Sequence, residues 1–120
     1  MRTKLILITL MAIFFFNANS VQAGFTCDGK PQVNMSLQTG TLTVNVGYGY
    51  WYICSINTTV GNITPKACEK IYEGLLSAEI LNNRSSIYFE DSLGNCNSIG
   101  SWSWPTPAPY HIDFLLDPTN

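Results

Sequence analysis

Four cysteines in a chain of 120 residues constrain its fold more than any other feature of the sequence. They are Cys27, Cys54, Cys68 and Cys96, separated by gaps of 27, 14 and 28 positions. Zinc sites need ligands clustered at short spacing, and the chain has one histidine, so we expect no metal site. Whether the cysteines pair with one another depends on the compartment that the protein occupies.

Residues 1–23 have the layout of a secretory signal peptide. Two basic residues precede an apolar run over 5–16, and small side chains at positions 21 and 23 place the cleavage between Ala23 and Gly24. The apolar run has 12 residues, whereas a membrane-spanning helix needs about 20, so we expect no stable membrane insertion after cleavage. Export to an oxidising compartment predicts a periplasmic or secreted protein with two disulfides.

The remaining residues, 24–120, are enough for one domain. They contain four lysines and arginines against eight aspartates and glutamates, which gives a net charge of −4. The chain as a whole is 46% hydrophobic and 12% charged, a composition that excludes a disordered chain. The basic surplus that neutralises a phosphate backbone is missing, so we expect no nucleic-acid partner.

Apolar and polar residues alternate with the period of β-strands on both sides of one helical segment. Thr64 can cap a helix, Pro65 suits the first helical position, and apolar residues recur at three- and four-residue spacing as far as Leu81. Gly74 within this helix costs about 1 kcal/mol relative to alanine, which indicates close packing there. The predicted strands cover residues 33–37, 42–46, 50–56, 87–89 and 110–116.

Three strands, a helix and two further strands are the element order of the OB-fold, a five-stranded, partly open barrel with its helix between strands three and four. We therefore predict a mainly β, OB-fold-like domain over 24–120. In that topology the start of the first strand lies near the end of the fourth, where Cys27 and Cys96 fall. Four cysteines allow three connectivities, and the OB-fold topology favours the one in which Cys27 pairs with Cys96 and Cys54 pairs with Cys68.

A second line of evidence is the order of several short motifs: an aromatic run that ends in Ile53-Cys54, the helical Cys68, the strand 87–89 and a Cys-x-x-Ile motif that begins at Cys96. Over about forty residues the chain resembles the B subunits of pentameric-B bacterial toxins of the subtilase-cytotoxin and typhoid-toxin kind. It also resembles small uncharacterised exported proteins of proteobacteria. The toxin resemblance implies an OB-fold, a ring of five subunits and recognition of host-surface sugars.

Little in the sequence predicts an enzyme. His111 and Asp113 share one face of a predicted strand, so the carboxylate could orient the imidazole, but such a pair still needs a nucleophile. No Gly-x-Ser-x-Gly turn occurs, and we expect oxidised cysteines in an exported chain. We therefore expect a non-enzymatic protein without a cofactor.

Aromatic and hydroxyl side chains instead predict a binding surface. Sugar rings stack on flat aromatic faces, while serine hydroxyls can hydrogen-bond the sugar hydroxyls. Two tryptophans alternate with serines in a proline-rich loop, and further aromatic residues crowd the third strand. The candidate ligand-binding residues are Tyr48, Trp51, Ser101, Trp102, Ser103 and Trp104.

We thus expect an exported binding protein for a surface glycan, similar to a toxin B subunit and assembled as a homo-oligomer such as a pentamer. The alternative is a periplasmic structural or inhibitory protein that docks a partner protein through its aromatic loop, because aromatic residues are also enriched at protein interfaces.

Overall fold

The computed structural model describes residues 24–116. The predicted signal peptide and the last four residues, 117–120, lie outside this range. Six strands and one α-helix follow in the order β1 (Phe25–Gly29), β2 (Gln32–Met35), β3 (Thr41–Asn45), β4 (Trp51–Ser55), α1 (Pro65–Ile80), β5 (Arg84–Phe89) and β6 (His111–Leu116).

The strands form two separate antiparallel sheets, one in the order β1-β5-β6 and the other in the order β2-β3-β4. The mainly β content and the helix are as the sequence predicts. The predicted OB-fold-like five-stranded barrel is wrong: the described residues contain six strands, the helix follows the fourth, and the two sheets do not close into a barrel.

The additional strand arises because the chain breaks between β1 and β2. Pro31 has no N–H group with which to continue a strand ladder, and the sequence pattern places the first strand only after it. Gly29 lies against Val46, the residue that follows β3: a Cβ atom at position 29 would be 1.8 Å from the carbonyl oxygen of Val46. The segment before the break therefore pairs with β5, and the segment after it pairs with β3.

The sheets stay separate because a loop occupies the edge of β4 that a closing strand would need. The Tyr52 N–H donates to the carbonyl oxygen of Ser103 at 2.9 Å, and the Trp102 N–H donates to that of Tyr50. Trp51 and Ser103 form an isolated parallel bridge. Within residues 24–116, β6 consequently pairs with β5 alone.

Helix α1 confirms the predicted helix to within one residue. The Thr64 hydroxyl accepts from the Ala67 N–H at 3.2 Å, and the helix ends at Ile80 before Asn82, which adopts a left-handed φ of 55°. The helix packs Cys68, Leu75 and Ala78 into the core. The largest fully buried side chains of that core are Trp51, Phe89, Leu42, Ile53, Leu75, Ile87 and Val44.

Both disulfides are present, Cys27–Cys96 with a Cα–Cα distance of 5.8 Å and Cys54–Cys68 with one of 5.7 Å. These are the two predicted pairs, although the barrel from which they were predicted does not form; the pairing of β1 with β5 is what brings Cys27 near Cys96. The first joins β1 to the loop between β5 and β6, and the second joins β4 to the first turn of α1. Two disulfides fit a protein of the periplasm or the extracellular space. No helix in the described part of the chain is long and apolar enough to span a membrane.

Candidate functional site

Four aromatic side chains form a continuous surface, here called the aromatic strip: Tyr50, Tyr52, Trp102 and Trp104. The Trp102 ring stacks on Tyr50 at 4.8 Å between centroids and lies 6.2 Å from Tyr52, which in turn lies 5.3 Å from Trp104. Trp102 is 59% exposed and Trp104 is 42% exposed. Two large rings therefore remain accessible to a ligand although both pack against neighbours.

The loop that carries the two tryptophans is fixed at several points. Cys96 is disulfide-bonded to β1, Ile99 is buried in the core, and Ser103 forms the bridge to β4. Gly49 lets the loop approach closely, because a Cβ atom at this residue would lie 2.9 Å from the Ser101 hydroxyl. The aromatic strip therefore lies on a rigid part of the fold.

Trp102 has a backbone conformation that is unusual for a large residue. Its φ of 57° lies in the left-handed region, where non-glycine residues carry steric strain of about 1–2 kcal/mol. Such strain persists only where surrounding contacts determine the backbone, and it is often found at functional sites. Here the Trp102 N–H donates to the carbonyl oxygen of Tyr50, just before β4, and the neighbouring Ser103 accepts from Tyr52 within β4, so that backbone hydrogen bonds hold the residue in place.

The other predicted site residues lie beneath or beside the strip. Trp51 is fully buried against Phe89, and the half-buried Tyr48 stacks on Trp51, so Trp51 has no surface that could contact a ligand. The Ser101 hydroxyl accepts from the Tyr50 N–H at 3.2 Å, and the Ser103 hydroxyl donates to the Gly100 carbonyl oxygen. Both hydroxyls thus hold the loop in its conformation.

The sequence prediction missed Tyr50, and it counted Tyr52 among the aromatic residues of the third strand without placing it among the candidate binding residues. The signal was available, since alternate residues of an extended segment point to opposite faces. Burial of Trp51 and Ile53 in the core places the residues on either side of Trp51 on the outer face. The alternation rule therefore separates Tyr50 and Tyr52 from Trp51.

A groove of about 480 Å³, here called the proline groove, opens beside Trp104. Its walls are residues 60–63 and the proline-rich segment 104–110. Among the described residues Glu90 is the one charged residue of its lining, and Trp104 and Tyr110 are the aromatic ones. The described lining of the proline groove is thus mostly apolar, with Asn62 and Thr106 as uncharged polar residues and Glu90 as the acidic one.

A second polar cluster lies on the sheet β1-β5-β6. The Tyr88 hydroxyl donates to Asp113 Oδ2 at 2.8 Å, and His111 Nε2 lies 2.8 Å from Asp113 Oδ1. The carboxylate therefore orients the imidazole, and it also holds Tyr88, which the sequence prediction did not include. The buried Ser86 opposite Asp113 donates its hydroxyl proton to Asp28 instead.

Hydrogen bonding shifts two pKa values in this cluster. The Tyr88 hydrogen bond, followed by that of His111, lowers the pKa of Asp113 below its ordinary 3.8. The same Asp113 hydrogen bond, together with desolvation, raises the pKa of Tyr88 above its ordinary 10.0. The carboxylate thus stays ionised and the phenol stays protonated at neutral pH.

Residues 24–116 contain no group of three or more His, Cys, Asp or Glu side chains that could hold a metal ion. Comparison of the chain with protein-family models, curated proteins and solved structures finds no match. A functional assignment must therefore come from the geometry of the chain's own surfaces.

Proposed function

We propose that the protein is an exported, non-enzymatic carbohydrate-binding protein and that the aromatic strip is its binding surface. The observation that carries the proposal is the exposure of Trp102 and Trp104 on a rigid platform with Tyr50 and Tyr52. A sugar ring presents an apolar C–H face and polar edges, and it can stack on such rings while its hydroxyls remain hydrated or hydrogen-bonded.

Rigidity of the strip supports binding because little conformational entropy remains to be lost when a ligand arrives. The Trp102 ring has one face on Tyr50, yet more than half of the side chain is exposed. The strained backbone of Trp102 also supports a role in binding. Such strain is often found at functional sites, and the exposed Trp102 side chain contributes little to the core.

The resemblance to toxin B subunits extends this proposal to a glycan-binding subunit of a homo-oligomer. A mass measurement in solution tests the extension separately from the binding itself: a pentamer supports it, and a monomer contradicts it.

A glycan array probed with the purified mature protein tests the proposed binding. We expect one group of related glycans to be bound, and we expect Trp102→Ala and Trp104→Ala each to weaken that binding about tenfold or more. Leu37→Ala is the matched control, because Leu37 is a fully exposed apolar side chain in the β2–β3 turn, outside the strip. Absence of binding, or binding indifferent to both tryptophan changes, would contradict the proposal.

Docking of a partner protein is the second candidate function. It is favoured by the composition of the strip, because tryptophan and tyrosine are enriched among the residues that dominate binding energy at protein interfaces. In that case the array shows no binding. A photo-crosslinking residue at position 104 should then yield a single protein adduct, which Trp102→Ala removes.

A further inference from the structure

We infer that the proline groove binds an uncharged saccharide unit and selects against anionic glycans. This inference rests on the proposed function, because it assigns a ligand class to a region that adjoins the aromatic strip. The two regions share Trp104, which contacts Tyr52 at 5.3 Å between ring centroids and also lines the groove. An oligosaccharide that lies along the strip can therefore continue past Trp104 into the groove.

The walls of the groove are preformed. On one side, Val60 and Ile63 exchange two backbone hydrogen bonds, of 3.0 and 2.9 Å, which close a tight turn. On the other side, Pro105 and Pro109 are buried, and proline has little backbone freedom to lose. A volume of about 480 Å³ lies within the range of small-ligand sites.

The chemistry of the lining indicates the kind of ligand. Trp104 and Tyr110 offer aromatic surface, and the Glu90 carboxylate can accept hydrogen bonds from hydroxyl groups. Among residues 24–116, no lysine, arginine or histidine lines the groove, so none of its described lining residues can neutralise an anionic ligand. The half-buried Glu90 would repel a carboxylate or sulfate that enters the groove.

The net charge of −4 over residues 24–120 acts in the same direction, although salt screens it at a distance. The protein's net charge acts on an anionic ligand anywhere on its surface, whereas the Glu90 carboxylate acts only on a ligand in the groove. Removal of the Glu90 charge should therefore change the selectivity of binding more than removal of a neighbouring surface charge does.

The test uses an array on which each neutral oligosaccharide stands beside a counterpart that carries one uronic or sialic acid, followed by calorimetry on the pairs that bind. We expect the wild-type protein to bind the neutral member of a pair about tenfold or more tightly than the acidic one. Glu90→Gln keeps the size of the side chain and removes its charge, and it should reduce this preference to about threefold or less. Asp91→Asn, an exposed neighbour that does not line the groove, is the matched control and should leave the preference unchanged.

Three results would overturn the inference and leave the proposed function standing, provided that Trp102→Ala still weakens binding about tenfold or more. They are equal or tighter binding of the acidic member, a preference that survives Glu90→Gln, and an equal effect of Glu90→Gln and Asp91→Asn. Absence of binding to every glycan would overturn the inference and the proposed function together.

Discussion

Trp102 combines an exposed aromatic ring with a left-handed backbone, and the two properties can be separated by substitution. Trp102→Ala and Trp102→Gly both remove the ring and its stacking on Tyr50, but only glycine adopts a positive φ without steric strain. We therefore expect Trp102→Gly to be more stable than Trp102→Ala by about 1 kcal/mol in urea unfolding. Equal stability, or a more stable alanine variant, would show that the left-handed backbone is not strained.

Asp113 should make the stability of the protein depend on pH in the acid range. Its pKa is lowered in the folded state, so the unfolded chain binds the proton more readily, and the stabilisation is present above about pH 4 and decreases as pH falls. Asp113→Asn removes this dependence, and we expect the free energies of unfolding of the two proteins to converge between about pH 5 and pH 2. His111 and Asp28 also face this cluster, so both stay unchanged in the experiment.

Asp91→Asn, which removes a carboxylate outside the Tyr88–Asp113–His111 cluster, serves as the control for this measurement. If the free energies of unfolding of the wild type and Asp113→Asn fall in parallel as pH is lowered, the assigned role of Asp113 is contradicted.

At the scale of elements, the contact between α1 and β6 depends on a residue without a side chain. A Cβ atom at Gly74 would lie 2.5 Å from the Phe114 ring, so the close packing indicated by the sequence is confirmed. Alanine in the helix interior gains about 1 kcal/mol of intrinsic propensity, while forcing extra volume into a packed site costs about 1–3 kcal/mol.

We expect the packing cost to exceed the gain in propensity, so that Gly74→Ala lowers the free energy of unfolding by about 1 kcal/mol. The effect should shrink or change sign when the same substitution is made in a Phe114→Leu background, because the smaller side chain leaves room for the methyl group. Equal effects in both backgrounds, measured by urea unfolding, would refute the proposed clash.

The hydrogen-bond partner of the β4 edge could not be predicted from the pattern of any single element. The strand itself, the helix and β6 can each be read from local patterns of apolar residues, and all three lie where those patterns place them. The partner of the β4 edge cannot be read in this way. A loop segment around Ser103 takes its hydrogen bonds, and although serine and tryptophan alternate there, the segment is too short and too close to prolines to be predicted as a strand.

At the scale of the whole molecule, the two disulfides close loops of very different length. Cys27–Cys96 closes a loop of 69 positions and Cys54–Cys68 one of 14. Chain entropy gives a stabilisation of about 4 kcal/mol for the longer loop and about 3 kcal/mol for the shorter.

We expect the double variant Cys27→Ala/Cys96→Ala to lose more stability in urea unfolding than Cys54→Ala/Cys68→Ala. The first pair also anchors the loop of the aromatic strip, so its removal should weaken glycan binding even under conditions in which the variant is folded. A larger loss from the shorter loop would mean that native packing around the helix, and not chain entropy, dominates.

The amino-acid sequence by itself determined the elements with strong local signals: the capped helix that starts at Pro65, the alternating strands on either side of it and the cysteines available for pairing. The tertiary structure alone decided that the sheets remain separate and that the strand face of Tyr50 and Tyr52, which alternation separates from Trp51, is the one that meets Trp102. The physical reason is that periodicity records which residues are buried along one segment, whereas the pairing of strand edges is a competition among segments far apart in the chain. Two contacts decide that competition here. Gly29 allows β1 to approach the Val46 carbonyl closely, and the loop around Ser103 takes the hydrogen bonds of the β4 edge.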